Sequence, residues 1–131
     1  EHIRRGYGHS DPRMRCSALH AMGRTGEVGW LPLILKELKN PDASLRYEAV
    51  NACAEVGEEA AVPYIIPLLQ DEDPQVSTSS ARALGEIGGP LAKKALKQCT
   101  KSSDDALREA ALEALENIEA MEDPLGFRYN I

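Results

Sequence analysis

The chain has 131 residues, 43% of them hydrophobic but only 5% aromatic, so one compact unit can bury a core made mainly of Ala, Leu, Ile and Val. A net charge of −6 argues against a general nucleic-acid binder, which needs a basic footprint. The longest apolar run, "AAVPYIIPLL", is too short to span a bilayer and no charged-then-apolar leader is present, while three cysteines outside any CxxC spacing suit a reducing, cytoplasmic setting.

Taken in chain order, the elements alternate between two kinds. Residues 1–10 fit the end of a helix, Ile3 and Tyr7 standing where Ile34 and Leu38 stand one step later. "DPRMRCSALHAMGRTG" (11–26) then opens on Asp and Pro and closes on Gly, which predicts a capped amphipathic helix. "VGWLPLILKELK" follows as a second helix with Pro32 near its start. The same pair returns 31 residues on as "DASLRYEAVNACAEVG" (42–57) and "AAVPYIIPLLQ", where Pro67 lies deep enough to predict a kink. It returns again as "DPQVSTSSARALGEIG" (73–88) and "PLAKKALKQCTK", and opens a fourth time with "DDALREAALEALENIE" (104–119).

Stacked at that step, Asp11, Asp42, Asp73 and Asp104 form a capping column, and Met14, Leu45, Val76 and Leu107 an apolar one. Ala21, Ala52, Ala83 and Ala114, beside Gly23, Ala54 and Gly85, allow close helix approach; Met22, Cys53, Leu84 and Leu115 form a column expected to be sealed. Gly26, Gly57 and Gly88 close three units through a positive φ. A fixed period of this size marks a repeat array in which each unit buries its face against its neighbours. The prediction is an all-α, right-handed solenoid of about four 31-residue helix–turn–helix repeats, with steps near 11–41, 42–72, 73–103 and 104–120. In the last unit Glu116 and Glu119 replace the small residue and the closing Gly, so this end reads as a cap with a tail over 121–131, and the array is expected to begin upstream. The apolar side of Ile3, Met14 and Trp30 is then expected to be partly bare and open to self-association.

The unit "DP-x-V-R-x-x-A-x-x-A-L-G-x-I-G" followed by "LPxLxxxL" resembles the HEAT-like repeat, in particular the short variety named after phycobilisome lyases. The resemblance implies that the helices with the Arg column line a concave face. It also implies a ladder of Asp and Arg between neighbouring repeats, matched here by Asp11, Arg15, Asp42, Arg46, Asp73, Asp104 and Arg108 and broken by Ser77. Its name suggests an alternative role, a bilin lyase-like or tetrapyrrole-handling subunit.

Chemistry-bearing residues are sparse. Cys16 and His20, four apart on the first long helix, have the proximity an activated thiolate or half a zinc site needs, but no third group stands at a fixed spacing. Asp104, Asp105, Glu109, Glu113 and Glu116 match no calcium loop, and Lys93, Lys97 and Lys101 form a basic stripe on a short helix. No catalytic residue, metal or cofactor is implied, and the reading is a non-catalytic interaction module binding a protein or peptide rather than nucleic acid or membrane. The candidate surface is a strip two, six and ten residues after the Met14 column: Cys16, His20 and Arg24; Tyr47, Asn51 and Glu55; Thr78, Arg82 and Glu86; Glu109, Glu113 and Asn117. Its residue types change at every unit while the buried columns hardly change. Net charge alternates along the array, +3 over residues 1–40, −5 over 41–71, +2 over 72–103 and −6 over 104–131, which would orient a partner.

Overall fold

A computed structural model describes residues 2–8 and 10–123. Among these the chain is helical throughout, with no strand: α1 (His2–Tyr7), α2 (Pro12–Thr25), α3 (Leu31–Glu37), α4 (Ala43–Val56), α5 (Val62–Ile65), α6 (Pro74–Ile87), α7 (Pro90–Cys99) and α8 (Asp105–Glu122). The long helices α2, α4, α6 and α8 stack side by side as one layer. The shorter ones pack behind them, α3 on α4 and α7 on α8, as a second layer. The fold is an all-α solenoid.

Each long helix begins as its sequence dictates. Asp11, Asp42, Asp73 and Asp104 have extended backbones and accept first-turn amides, those of Arg13, Ser44, Gln75 and Ala106, at 2.8–3.0 Å. A cap of this kind is worth about 1 kcal/mol. Gly26, Gly57 and Gly88 end the helices at φ of 68°, 75° and 79°. With no glycine at position 119, α8 runs on to Glu122, and the rest of the expected tail, 124–131, lies outside the described residues. Pro67 has no N–H to continue the α ladder, so α5 stops at Ile65 and the chain proceeds as a 3-10 turn over Ile66–Gln70.

The core lies between the layers, with Leu19, Met22, Ile34, Leu45, Ile65, Leu84, Leu96 and Ile118 sealed from solvent. Two columns change character at the ends, one at a residue expected to be partly bare and one at a residue expected to be sealed. Met14 is 46% exposed where Leu45, Val76 and Leu107 are buried, because α1 does not cover it. Leu115 is only half-buried, unlike Met22, Cys53 and Leu84, since no further described helix packs beyond α8; Ile118 is sealed there instead. Trp30 packs against the core with the Arg4 guanidinium 5.2 Å from its ring centre.

The Asp–Arg ladder takes a different form from the one implied by resemblance. The aspartates are occupied with capping, and the arginines reach other acids. Arg15 meets the buried Glu37 carboxylate at 2.7 Å, where Tyr7 Oη and Asn40 Nδ2 also donate. Arg46 grips Asp71 with two bonds of 2.8 and 3.0 Å and donates to the carbonyls of Asn40 and Pro41, tying two successive turns together. Arg108 binds the Ser102 carbonyl and Asp105. Ser77 turns back on Pro74 O within its own helix, so the third unit lacks this tie. Arg46 and Arg108 meet the column Asn40, Asp71 and Ser102, by backbone carbonyl at Asn40 and Ser102 and by carboxylate at Asp71, and the side-chain oxygens of that column accept the amides of Asp42, Asp73 and Asp104.

Candidate functional site

The face of the long-helix layer opposite the short helices carries three adjoining recesses. The first, about 240 Å³, lies across the starts of α4 and α6, with Cys16, Tyr47, Glu48 and Gln75 in its wall. The second, about 450 Å³, is lined by His20, Tyr47, Asn51, Glu55, Arg82 and Glu86. The third, about 390 Å³, lies between α6 and α8, with Thr78, Ser79, Arg82, Glu86, Glu113 and Asn117 around it and Ala110 and Ala114 in its floor. Ten of the twelve strip positions therefore line recesses on one face; Arg24 and Glu109 line none of them.

Polar contacts join the strip across helices. Arg82 Nη2 donates to Asn51 Oδ1 at 2.9 Å, and Asn117 Nδ2 donates to the Gly85 carbonyl at 2.9 Å. Tyr47 and Asn51 are half-buried, whereas Arg82, Glu86 and Glu113 are exposed. Sequence spacing missed a neighbouring column, Ser17, Glu48, Ser79 and Ala110, of which the last three line recesses. The signal was present as a single step of three residues from the apolar column, but only the recess lining reveals it.

Cys16 and His20 lie in different recesses and no hydrogen bond joins them. Burial, together with the charges of Glu48 and Asp42, pushes the Cys16 thiol up, the reverse of nucleophile activation. Burial raises the Glu48 carboxyl as well, with His20 opposing. Cys53 is sealed and its thiol is pushed up to about 12 by burial. Among the described residues no three His, Cys, Asp or Glu side chains are placed to hold a metal, and no helix is long and apolar enough to cross a membrane. On the outer side, Lys93 is paired with Glu122 at 2.7 Å, and Lys94, Lys97 and Lys101 line a shallow depression beside it.

A periodic two-layer stack with a variable open face defines an α-helical repeat protein. The HEAT repeats family matches residues 31–116, well over half the chain, and the protein belongs to that family. Among solved structures it is similar to human deoxyhypusine hydroxylase in complex with glycerol, with a TM-score of 0.79 and 26% identity over 90% of this chain and 42% of that one. Two engineered proteins share the fold, at TM-scores of 0.68 and 0.65 and identities of 23% and 21%, covering 90% and 89% of this chain and 61% and 36% of theirs. The chain thus spans less than two thirds of the length of each. No curated protein matches it.

Proposed function

We propose that the protein is a non-catalytic interaction module that holds an extended protein or peptide segment along the open face of α2, α4, α6 and α8. The observation that carries this reading is the contiguity of the three recesses. They share Tyr47, Glu48, Arg82 and Glu86, so one continuous ligand can engage all of them. Tyr47 and Arg82 stand at the shared walls, and Tyr and Arg are the types that most often anchor interfaces. The raised Cys16 thiol supports a binding role over a thiol enzyme. Similarity to a hydroxylase does not by itself carry over an activity, since a fold of this kind hosts many.

The test uses a partner recovered by photocrosslinking from Tyr47 and Asn51 positions. Tyr47→Ala or Arg82→Glu is expected to weaken that complex by about 1–2 kcal/mol or more while melting stays near wild type. Normal binding by both variants, together with loss of binding in a Lys94→Glu, Lys97→Glu variant of the outer depression, would sink the reading.

A further inference from the structure

The run Ser77–Ser80 places four hydroxyls in successive positions of α6, and three of them bond back to their own helix. Ser77 and Thr78 donate to Pro74 O at 3.1 and 2.8 Å, and Ser80 donates to Val76 O at 2.8 Å. Ser79 does not. Its hydroxyl has no hydrogen-bond partner among the described residues, although the residue is only 5% exposed and lines the recess between α6 and α8. Among the described residues no fully buried side-chain oxygen lacks a partner, so the Ser79 hydroxyl opens into the recess, where its hydrogen-bonding capacity is free for a guest.

The surroundings fix the sign of that guest. Two carboxylates, Glu86 on α6 and Glu113 on α8, face the recess, and neither takes part in an ion pair among the described residues. The one cation at the wall, Arg82, leans away to Asn51 on α4. Asn117 spends its amide N–H on Gly85 O, which leaves its side-chain carbonyl as a further acceptor. The recess therefore offers acceptors, an excess of negative charge and an alanine floor along which a methylene chain can lie.

We propose that this recess receives a cationic side chain, a lysine of an extended basic segment, with Glu86, Glu113 and the Ser79 hydroxyl around its ammonium group. This rests on the peptide-binding reading above and names the class of segment. An ammonium brings donors and no acceptor, matching a site that presents acceptors.

The experiment titrates the isotope-labelled full chain with short Gly/Ser peptides bearing lysines, glutamates or neither, followed by amide shifts and fluorescence anisotropy. Lysine peptides are expected to bind and to shift the amides of Ser79, Glu86 and Glu113. Glu86→Gln and Glu113→Gln should each weaken them about fivefold, the effect of one surface ion pair, and Ser79→Ala should weaken them in the same direction. Lysine-peptide affinity unchanged in all three variants overturns the proposal, as does absence of binding at millimolar peptide. Glutamate or neutral peptides binding at Tyr47 and Arg82 in preference to lysine peptides overturns it too, but leaves the peptide-groove reading standing. Binding of glutamate peptides at Lys94 and Lys97 alone overturns both.

Discussion

At Gly85 one hydrogen atom sets the spacing of two helices. A Cβ built there would stand 2.6 Å from Ala114 Cβ and 2.8 Å from its Cα, and one at Gly23 would stand 2.8 Å from Ala52 Cα. Backbone contact at that range leaves no room for a methyl group, so Gly85→Ala is expected to destabilise by on the order of 1–3 kcal/mol despite its better helix propensity. Urea denaturation checks this; a neutral or stabilising result would mean that α8 can shift freely. The leucine column gives a second contrast. Leu84 is sealed, so Leu84→Ala should cost on the order of 2–5 kcal/mol, whereas half-buried Leu115→Ala should cost clearly less, since part of its side chain already meets solvent. Equal losses at the two positions would show that something covers α8 on its far side.

Among the elements, the turns between units carry the electrostatics. The Arg46 and Asp71 side chains are 12% and 7% exposed, so their paired hydrogen bonds are little screened. Burial alone would raise the Asp71 carboxyl, yet the Arg46 hydrogen bonds and the Asp73 amide together hold it below the usual carboxylate range. A depressed folded value contributes stability that is complete above the ordinary Asp pKa and is lost as pH falls through the folded value. Asp71→Asn should therefore destabilise on the order of 3 kcal/mol at neutral pH. The gap from wild type should begin to narrow as pH falls through the ordinary Asp range and close only once pH is below the depressed folded value. Denaturation at several pH values measures it, and a gap that stays constant would reassign the effect to the turn geometry alone. Caps, glycine stops and the Pro67 break were legible in the sequence because each acts within one turn of its own helix. The arginine partners were not. Those of Arg15, Arg46 and Arg108 are the Glu37 and Asp71 carboxylates and the Ser102 carbonyl, which share neither residue type nor spacing from the arginine.

Across the whole molecule, the seams between long helices are held by different means, and this the 31-residue period conceals. The candidate strip was legible as a face, since periodicity fixes direction; its recesses were not, since their outline depends on how side chains of neighbouring helices meet, as Arg82 meets Asn51. Where the small residue in the column of Gly23, Ala54 and Gly85 is glycine, at α2–α4 and α6–α8, backbones meet closely. At α4–α6 it is Ala54, and this seam adds polar ties instead, Arg46 to Asp71 and Arg82 to Asn51. The α6–α8 seam lacks the arginine at Ser77 but has Gly85 against Ala114 and the Asn117–Gly85 bond. In a solenoid, stability is close to a sum of unit and neighbour terms, so removing the device specific to a seam should uncouple the units on either side. Arg46→Met with Arg82→Ala is accordingly expected to divide unfolding into two steps, with amides of α2 and α4 exchanging separately from those of α6 and α8, and with a shallower denaturant slope. Asn117→Ala, which removes a polar tie from a seam already held by glycine contact, should lower stability while leaving one transition. A single, equally steep transition in the arginine double variant would show that apolar packing across Ala54 suffices to couple the two halves.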